Sequence, residues 1–514
     1  MKLSNYVAEF LASKGLRHVF GITGGASLHL IHAIAERTDM QMIFTHHEQA
    51  SAMAADGYSR VTGEFAVAVA TSGPGATNLI TGICCSYYDS IPIMYITGQV
   101  ATFRDKRDLG IRQLGFQETD IVAMCHPVTK YAVKLQRAQD IRKELEKAYF
   151  LAHQGRPGPV LVDIPDDLQR AQIDPDSLEA FILPTSSSEG LSLSADLERC
   201  VMAMQRSERP VIIAGWGVRL SHAESEFFEA ARLLQFPILP TWAVTDMFPS
   251  EYPLLVGTFG THGSRSGNFA VQNADLILVI GSRLDTHETG SPPSSFARQA
   301  FKIVVDIDPA ELDKFATLGI NINSSFCVDA AEFLKALSAK LQSVELPDIQ
   351  PWRNKIAIWQ NQYQPIQQRY RDELEVNPYI FIDTLSLLTK PGDIIISDTG
   401  CALAWTAQGY SFKRSQRFLH AFNNTPMGYA LPASVGAALA EPDCGIICIT
   451  GDGALQMNIQ ELATLTFPLG KTMSLPCTRP IVISGLLNTR RRCSPPFSVR
   501  TIANMDSPER TWLA

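Results

Sequence analysis

Two carboxylates stand where chemistry could be done. Asp452 lies between two glycines in GDGALQMNIQELATL, residues 451–465, directly after the apolar run GIICIT, so a strand, a glycine turn and a helix follow one another. At such a strand end a carboxylate can meet a hard cation, and the backbone N–H groups of the turn can meet a phosphate. One carboxylate does not hold Mg²⁺ alone, so a partner is needed elsewhere. Glu48, in HHEQASAMAADGYSR at 46–60, follows the strand-like MQMIFT and opens a helix of small residues. Open α/β sheets bind ligands outside the carboxyl ends of their strands, which is where Glu48 falls. The plainer alternative is a solvated glutamate favoured at a helix start by the macrodipole.

Two glycine turns accompany these carboxylates. AVATSGPGATN, 68–78, reads as a strand, a turn with Gly73 and Pro74, and a helix start reaching Asn78. Its N–H groups could face a ligand, but Gly-Pro-Gly also makes an ordinary tight turn. GITGGAS, 21–27, with Gly24 at its centre, does not satisfy GxGxxG. Neither stretch by itself supports a dinucleotide site.

The elements that must position these residues come from the wider pattern. At 514 residues, 46% hydrophobic and 19% charged, the chain has the composition of a folded protein of about three domains. A net charge of −8 argues against a general polyanion binder, so nucleic acid is not expected as a partner. Ten cysteines without repeated CxxC spacing indicate neither a disulfide scaffold nor a zinc cluster. No apolar run reaches about 18 residues, and the N-terminus lacks the layout of a signal peptide. A cytoplasmic enzyme or binding protein, without a membrane partner, is the expectation.

Short apolar runs (HVFGI, MQMIFT, FAVAVAT, IPIMYIT, GPVLVDIP) alternate with helical stretches over 1–170. Such alternation predicts a doubly wound parallel sheet. After a Ser-rich linker at 184–194, a second α/β series fills 190–335. A third begins with GDIIISDTG and occupies 370–514. The fold class is therefore α/β, with three doubly wound parallel-sheet domains and the third incomplete.

Seven motifs in order, HEQASAMAADGYSR, TSGPGATNLITGI, IPIMYITGQV, GFQETDIV, GRPGPVLVDIPDDLQ, MGYALPASVGAALA and ITGDGALQMNIQELATL, resemble the thiamine-diphosphate enzymes of the acetolactate synthase family. The resemblance covers roughly residues 1–465. It implies a pyrimidine-binding first domain, a central domain and a diphosphate-binding third domain. It also implies an enzyme that decarboxylates a 2-oxo acid, usually pyruvate, and joins the acyl unit to a second carbonyl. A simple decarboxylase, an acyltransferase to phosphate or a keto-sugar carboligase shares the early steps. The resemblance implies that Glu48 bonds N1′ of the aminopyrimidine, so that the cofactor removes its own thiazolium C2 proton and then serves as electron sink. Gln117 in GFQE would lie near the reacting centre, Gly73, Pro74 and Asn78 near the aminopyrimidine, and Met427 in TPMGYALPA beneath the bent cofactor.

For the diphosphate, the resemblance implies Gly400 in SDTGCALAW together with Gly451, Asp452, Gly453 and Ala454, with Mg²⁺ on Asp452. It further implies a homodimer or tetramer with active sites shared between subunits. GTFGTHGSRSGNFAVQNADLILVIGSRLD resembles the segment where acetolactate synthases bind FAD, and Gly263, Gly281, Ser282, Arg283 and Asp306 are either its contacts or members of turns and ion pairs.

The resemblance stops at Leu465. Family members carry a second metal ligand, an Asn, about 25 to 28 residues beyond the Asp, but here that spacing falls on Thr478, Arg479 and Pro480. Arginine is a permanent cation that Mg²⁺ would repel, and Asn488 stands further along without the expected context. A shifted reading frame or gene remnant is the leading explanation, a diverged working C-terminus the other. A truncated, catalytically incompetent homologue is thus the rival to the enzyme.

Overall fold

The computed structural model describes residues 1–184, 193–466 and 481–486. Six strands form the first sheet: β1 His18–Gly21, β2 Gln41–Phe44, β3 Ala66–Ala70, β4 Ile93–Gln99, β5 Tyr131–Lys134 and β6 Val160–Pro165. Their order is β2-β1-β3-β4-β6-β5, and every pairing is parallel. Buried on both faces, β3 is continuously apolar (AVAVA) and β4 is mostly so until its polar end at Gln99 (IMYITGQ), where a half-exposed strand would alternate. Chain order reverses between β1 and β3, and a doubly wound sheet leaves a crevice at such a point, outside its carboxyl edge. The turn bearing Gly24 follows β1 and the turn bearing Gly73 follows β3, so both stand at this crevice.

The second sheet is also parallel, with order β11-β10-β9-β7-β8: β7 Pro210–Ala214, β8 Ile238–Pro240, β9 Leu276–Ile280, β10 Phe301–Asp306 and β11 Ser324–Cys327. The third is smaller, with order β13-β12-β14-β15: β12 Ile394–Ser397, β13 Arg417–Leu419, β14 Ile446–Gly451 and β15 Ile481–Leu486. Here β14 pairs in parallel with β12 on one side and β15 on the other. Asp398 and Gly400 follow β12, and Asp452 follows β14, so these residues again occupy a carboxyl edge between adjacent strands.

Beyond Leu465, where the resemblance stops, the third sheet carries a further parallel strand, β15. The run IVISGL is rich in β-branched residues, which favour strands. It sets Leu486 opposite Gly451. Thr478, Arg479, Pro480 and Asn488 lie outside the described residues.

Contacts divide the chain into two compact units. Residues 1–185, 394–402 and 419–514 make one, and 186–393 and 403–418 make the other. Within the first unit, the helix Glu48–Thr62 packs on the helix Ala430–Ala440 through small residues. A Cβ on Gly436 would stand 1.9 Å from the Ala54 carbonyl oxygen, and one on Gly57 would stand 2.5 Å from that of Ala433. Only glycine admits so close an approach of two helix backbones. This contact joins the helix that starts at Glu48 to the segment that carries Met427.

Candidate functional site

The residues gather in two groups, both in the first unit. In the first group, Glu48 opens its helix behind His47, whose extended backbone (φ −152°) makes the N-cap and whose Nδ1 accepts from the Gln49 N–H. Asn78 Nδ2 donates to Glu48 Oε2 at 2.9 Å. The other oxygen, Oε1, lies 3.2 Å from where a Cβ on Gly75 would stand, and Thr71 Cγ2 lies 2.7 Å from it, so only glycine fits between them. Pro74 is at the first position of the short helix Pro74–Asn78, where its missing N–H costs nothing, and this helix presents Asn78 to Glu48.

Gly73, at φ +62°, turns the chain into that helix, and a Cβ there would meet Gln117 Cβ and O at 2.9 Å. Gln117 itself has a left-handed backbone (φ +62°), uncommon for a residue with a side chain. Gly24 backs onto Thr71, whose hydroxyl accepts from the Ala26 N–H at 3.1 Å. Glu48, Gly24, Gly73, Pro74, Asn78 and Gln117 thus form one connected locus along the carboxyl edge of the first sheet.

Glu118 is a member that sequence reasoning missed. Its buried carboxylate accepts the backbone N–H groups of Lys106, Leu114 and Gly115, at 2.7, 2.7 and 3.1 Å, and so folds the loop that presents Gln117. Nothing in the sequence marks it except its place beside Gln117. The same loop exposes Phe103, Leu109, Leu114 and Phe116, the last at 85%.

In the second group, Asp452 is exposed at the end of β14, and its Oδ1 accepts from the Gly453 N–H at 2.8 Å. Met427 is 45% exposed, and its Cε is 3.2 Å from where a Cβ on Gly453 would stand. Ala454 is buried behind them, with its carbonyl beside Gly428. Gly400, at φ +74°, faces open space. Among the described residues, no three His, Cys, Asp or Glu side chains converge as a metal site.

Asp398, also missed, is 1% exposed and accepts from Thr450 Oγ1 at 2.6 Å and from the Tyr429 N–H at 2.9 Å. Burial pushes its carboxyl above the usual range while these hydrogen bonds pull it back.

The two groups are linked by the elements that carry them. The buried Glu461 carboxylate accepts from the His46 N–H at 3.0 Å, and Thr464 Oγ1 donates to the same carboxylate. Asn458 Nδ2 donates to the Gly428 carbonyl at 2.7 Å. The approach to Glu48 and the support of Met427 are thus both anchored by the segment after Asp452.

In the second unit, the five flavin candidates are engaged internally. Gly281 (φ +61°) abuts the backbone of Gly217, and Gly263 that of Phe259. Ser282 Oγ donates to Glu288, Arg283 pairs with Asp285 and Glu311, and Asp306 accepts from the Asp308 N–H. Burial and the nearby Asp285 carboxylate push the Glu288 carboxyl up to about 8.

Comparison with known proteins follows the same division. Residues 1–124 match the thiamine pyrophosphate enzyme N-terminal TPP binding domain, 197–337 the central domain and 398–467 the C-terminal TPP binding domain. The chain is 35% identical over 478 residues to a probable acetolactate synthase large subunit of Methanocaldococcus jannaschii, spanning 91% of this chain and 78% of that one. To the acetolactate synthase isozyme 3 large subunit of Escherichia coli it is 33% identical over 464 residues, 89% and 79% of the two chains. To the chloroplastic acetolactate synthase of Arabidopsis thaliana it is 34% identical over 466 residues, 90% and 68%. No helix among the described residues is long and apolar enough to cross a membrane.

Proposed function

This chain belongs to the thiamine pyrophosphate enzyme family, beside the acetolactate synthase large subunits, and from that premise we propose that it decarboxylates pyruvate and transfers the acyl unit to a second 2-oxo acid. The observation that carries this reading is Glu48, a carboxylate at a strand's carboxyl edge with one oxygen held by Asn78 and the other set beside Gly75, where no side chain would fit. Thiamine diphosphate, when bound, supplies the carbanion chemistry and the electron sink.

The protein's residues do the positioning. Glu48 holds a proton at N1′ of the aminopyrimidine, and Asn78 keeps its carboxylate aimed. Gly73 and Pro74 let the backbone approach the ring, and Gly24 allows the neighbouring turn to close on Thr71. Gln117, set against Gly73, addresses the substrate carbonyl. Met427 would support the cofactor. Gly400, Gly451, Gly453 and Ala454 leave room for the diphosphate, and Asp452 gives Mg²⁺ its protein ligand.

The exposed apolar side chains at Phe103, Leu109, Leu114 and Phe116 favour a second copy of the chain covering this loop, hence a homodimer or tetramer. A flavin enters no step of this reading. The rival reading, a homologue without activity, draws on the positions 26 to 28 residues beyond Asp452, where Thr478, Arg479 and Pro480 stand in place of an Asn.

Titration calorimetry of thiamine diphosphate at millimolar Mg²⁺, followed by CO₂ release from pyruvate, separates the two. Binding with turnover that Glu48→Gln abolishes supports the enzyme. Binding without turnover supports the rival, and no binding defeats the cofactor reading outright.

A further inference from the structure

A charged network without access to solvent lies behind both groups of site residues. Asp56 and Arg60 are on the helix that Glu48 opens, Asp89 follows the helix Ile80–Tyr88, and Tyr429 stands two residues after Met427. All four are at most 4% exposed. Arg60 pairs with Asp56 at 2.5 Å and with Asp89 at 2.7 Å, and it donates to the His420 carbonyl. Asp89 accepts the backbone N–H groups of Phe422 and Asn423 and the Asn423 side-chain amide. Ser86 Oγ donates to Asp56, and Tyr95 OH lies beside it. Buried ions so fully partnered hold one geometry, because breaking a single pair strands the other charge.

Tyr429 closes the network onto the site. Its hydroxyl donates to Asp56 Oδ1 at 2.6 Å, and its backbone N–H donates to Asp398 Oδ1 at 2.9 Å. The Gly428 carbonyl just before it accepts from Asn458. The segment carrying Met427 is therefore fixed at its side chain, its N–H and the preceding carbonyl. We propose that Tyr429 is a positioning residue, which through Asp56 registers the Met427 support against the Glu48 helix so that cofactor activation proceeds at full rate. This rests on the functional reading above, since Met427 must meet the cofactor for its register to matter.

The test is a double-mutant cycle of Tyr429→Phe and Met427→Ala, read as the rate of deuterium exchange at thiazolium C2 per bound cofactor. Tyr429→Phe keeps the ring and removes only the hydroxyl, so the variant folds, and normalising to bound cofactor removes any loss of protein. Exchange slows on the order of tenfold in Tyr429→Phe, with the pH profile of exchange unchanged. In the Met427→Ala background, Tyr429→Phe has no further effect, as coupled residues require. Additive effects, or an unchanged rate in the single variant, overturn the proposal while leaving the function standing. A wild-type chain that binds no thiamine diphosphate defeats the functional reading and the proposal together.

Discussion

Gly436 offers the sharpest mechanical test of how the site is assembled. Substitution by alanine puts a Cβ 1.9 Å from the Ala54 carbonyl oxygen and 2.7 Å from the Tyr58 nitrogen, both backbone atoms that cannot swing aside. A carbon needs about 3.3 Å from a carbonyl oxygen, so the two helices must part by roughly 1.4 Å. That gap forfeits half or more of the dispersion attraction across the contact, and overpacking of this kind costs about 1–3 kcal/mol. Alanine's helix propensity returns up to about 1 kcal/mol.

A net loss near 1 kcal/mol corresponds to a fall of about 2–4 °C in the melting temperature of this unit. Gly57→Ala meets its obstacle at 2.5 Å and needs a shift of roughly 0.8 Å, so it should lose less. Gly451→Ala, with nothing within 4 Å, should melt as wild type. The assay is thermal unfolding followed by circular dichroism, with hydrogen exchange reporting on helices 48–62 and 430–440. Gly436→Ala melting within 1 °C of wild type, or the order of the two glycines reversed, would refute the packing argument.

Further outcomes follow from the site. Glu48→Gln should still bind thiamine diphosphate but lose C2 proton exchange and CO₂ release by 10²-fold or more, the usual worth of a positioned acid or base; stopped-quench NMR and a CO₂ electrode read the two. Asp452→Ala should raise the Mg²⁺ concentration needed for half-maximal cofactor binding at least tenfold, seen by calorimetry across a Mg²⁺ series.

Glu288, whose folded-state carboxyl is raised to about 8, binds a proton in the folded chain that the unfolded chain releases above the ordinary carboxylate range. Its contribution is therefore fully present at acidic pH and is lost as pH rises toward 8. Glu288→Gln, which can still accept from Ser282, should flatten this fall between pH 5 and 8. An equally steep decline in the variant's melting temperature would count against it.

Much of the architecture is legible in the sequence because parallel strands buried on both faces announce themselves as apolar runs. The glycine turns at Gly73 and Asp452 mark where those runs end. Gln117 and Met427 are legible only by resemblance, since a lone polar residue and a lone methionine carry no pattern. Asp398, Asp56 and Asp89 were not legible. Their partners lie far along the chain, as when Arg60 reaches His420 and Asp56 reaches Tyr429, and no local spacing encodes such pairings. Glu118 escaped for another reason: a carboxylate that gathers backbone N–H groups looks like any surface glutamate until its loop has folded around it. β15 was hidden by the polar and proline-rich residues around IVISGL, which blur the strand's edges.

The account stands most directly on whether this chain binds thiamine diphosphate and uses it. Calorimetric titration at millimolar Mg²⁺, with CO₂ release from pyruvate measured on the same sample, should give saturable binding with turnover that disappears in Glu48→Gln. No heat of binding, or turnover that survives the loss of Glu48, would contradict it.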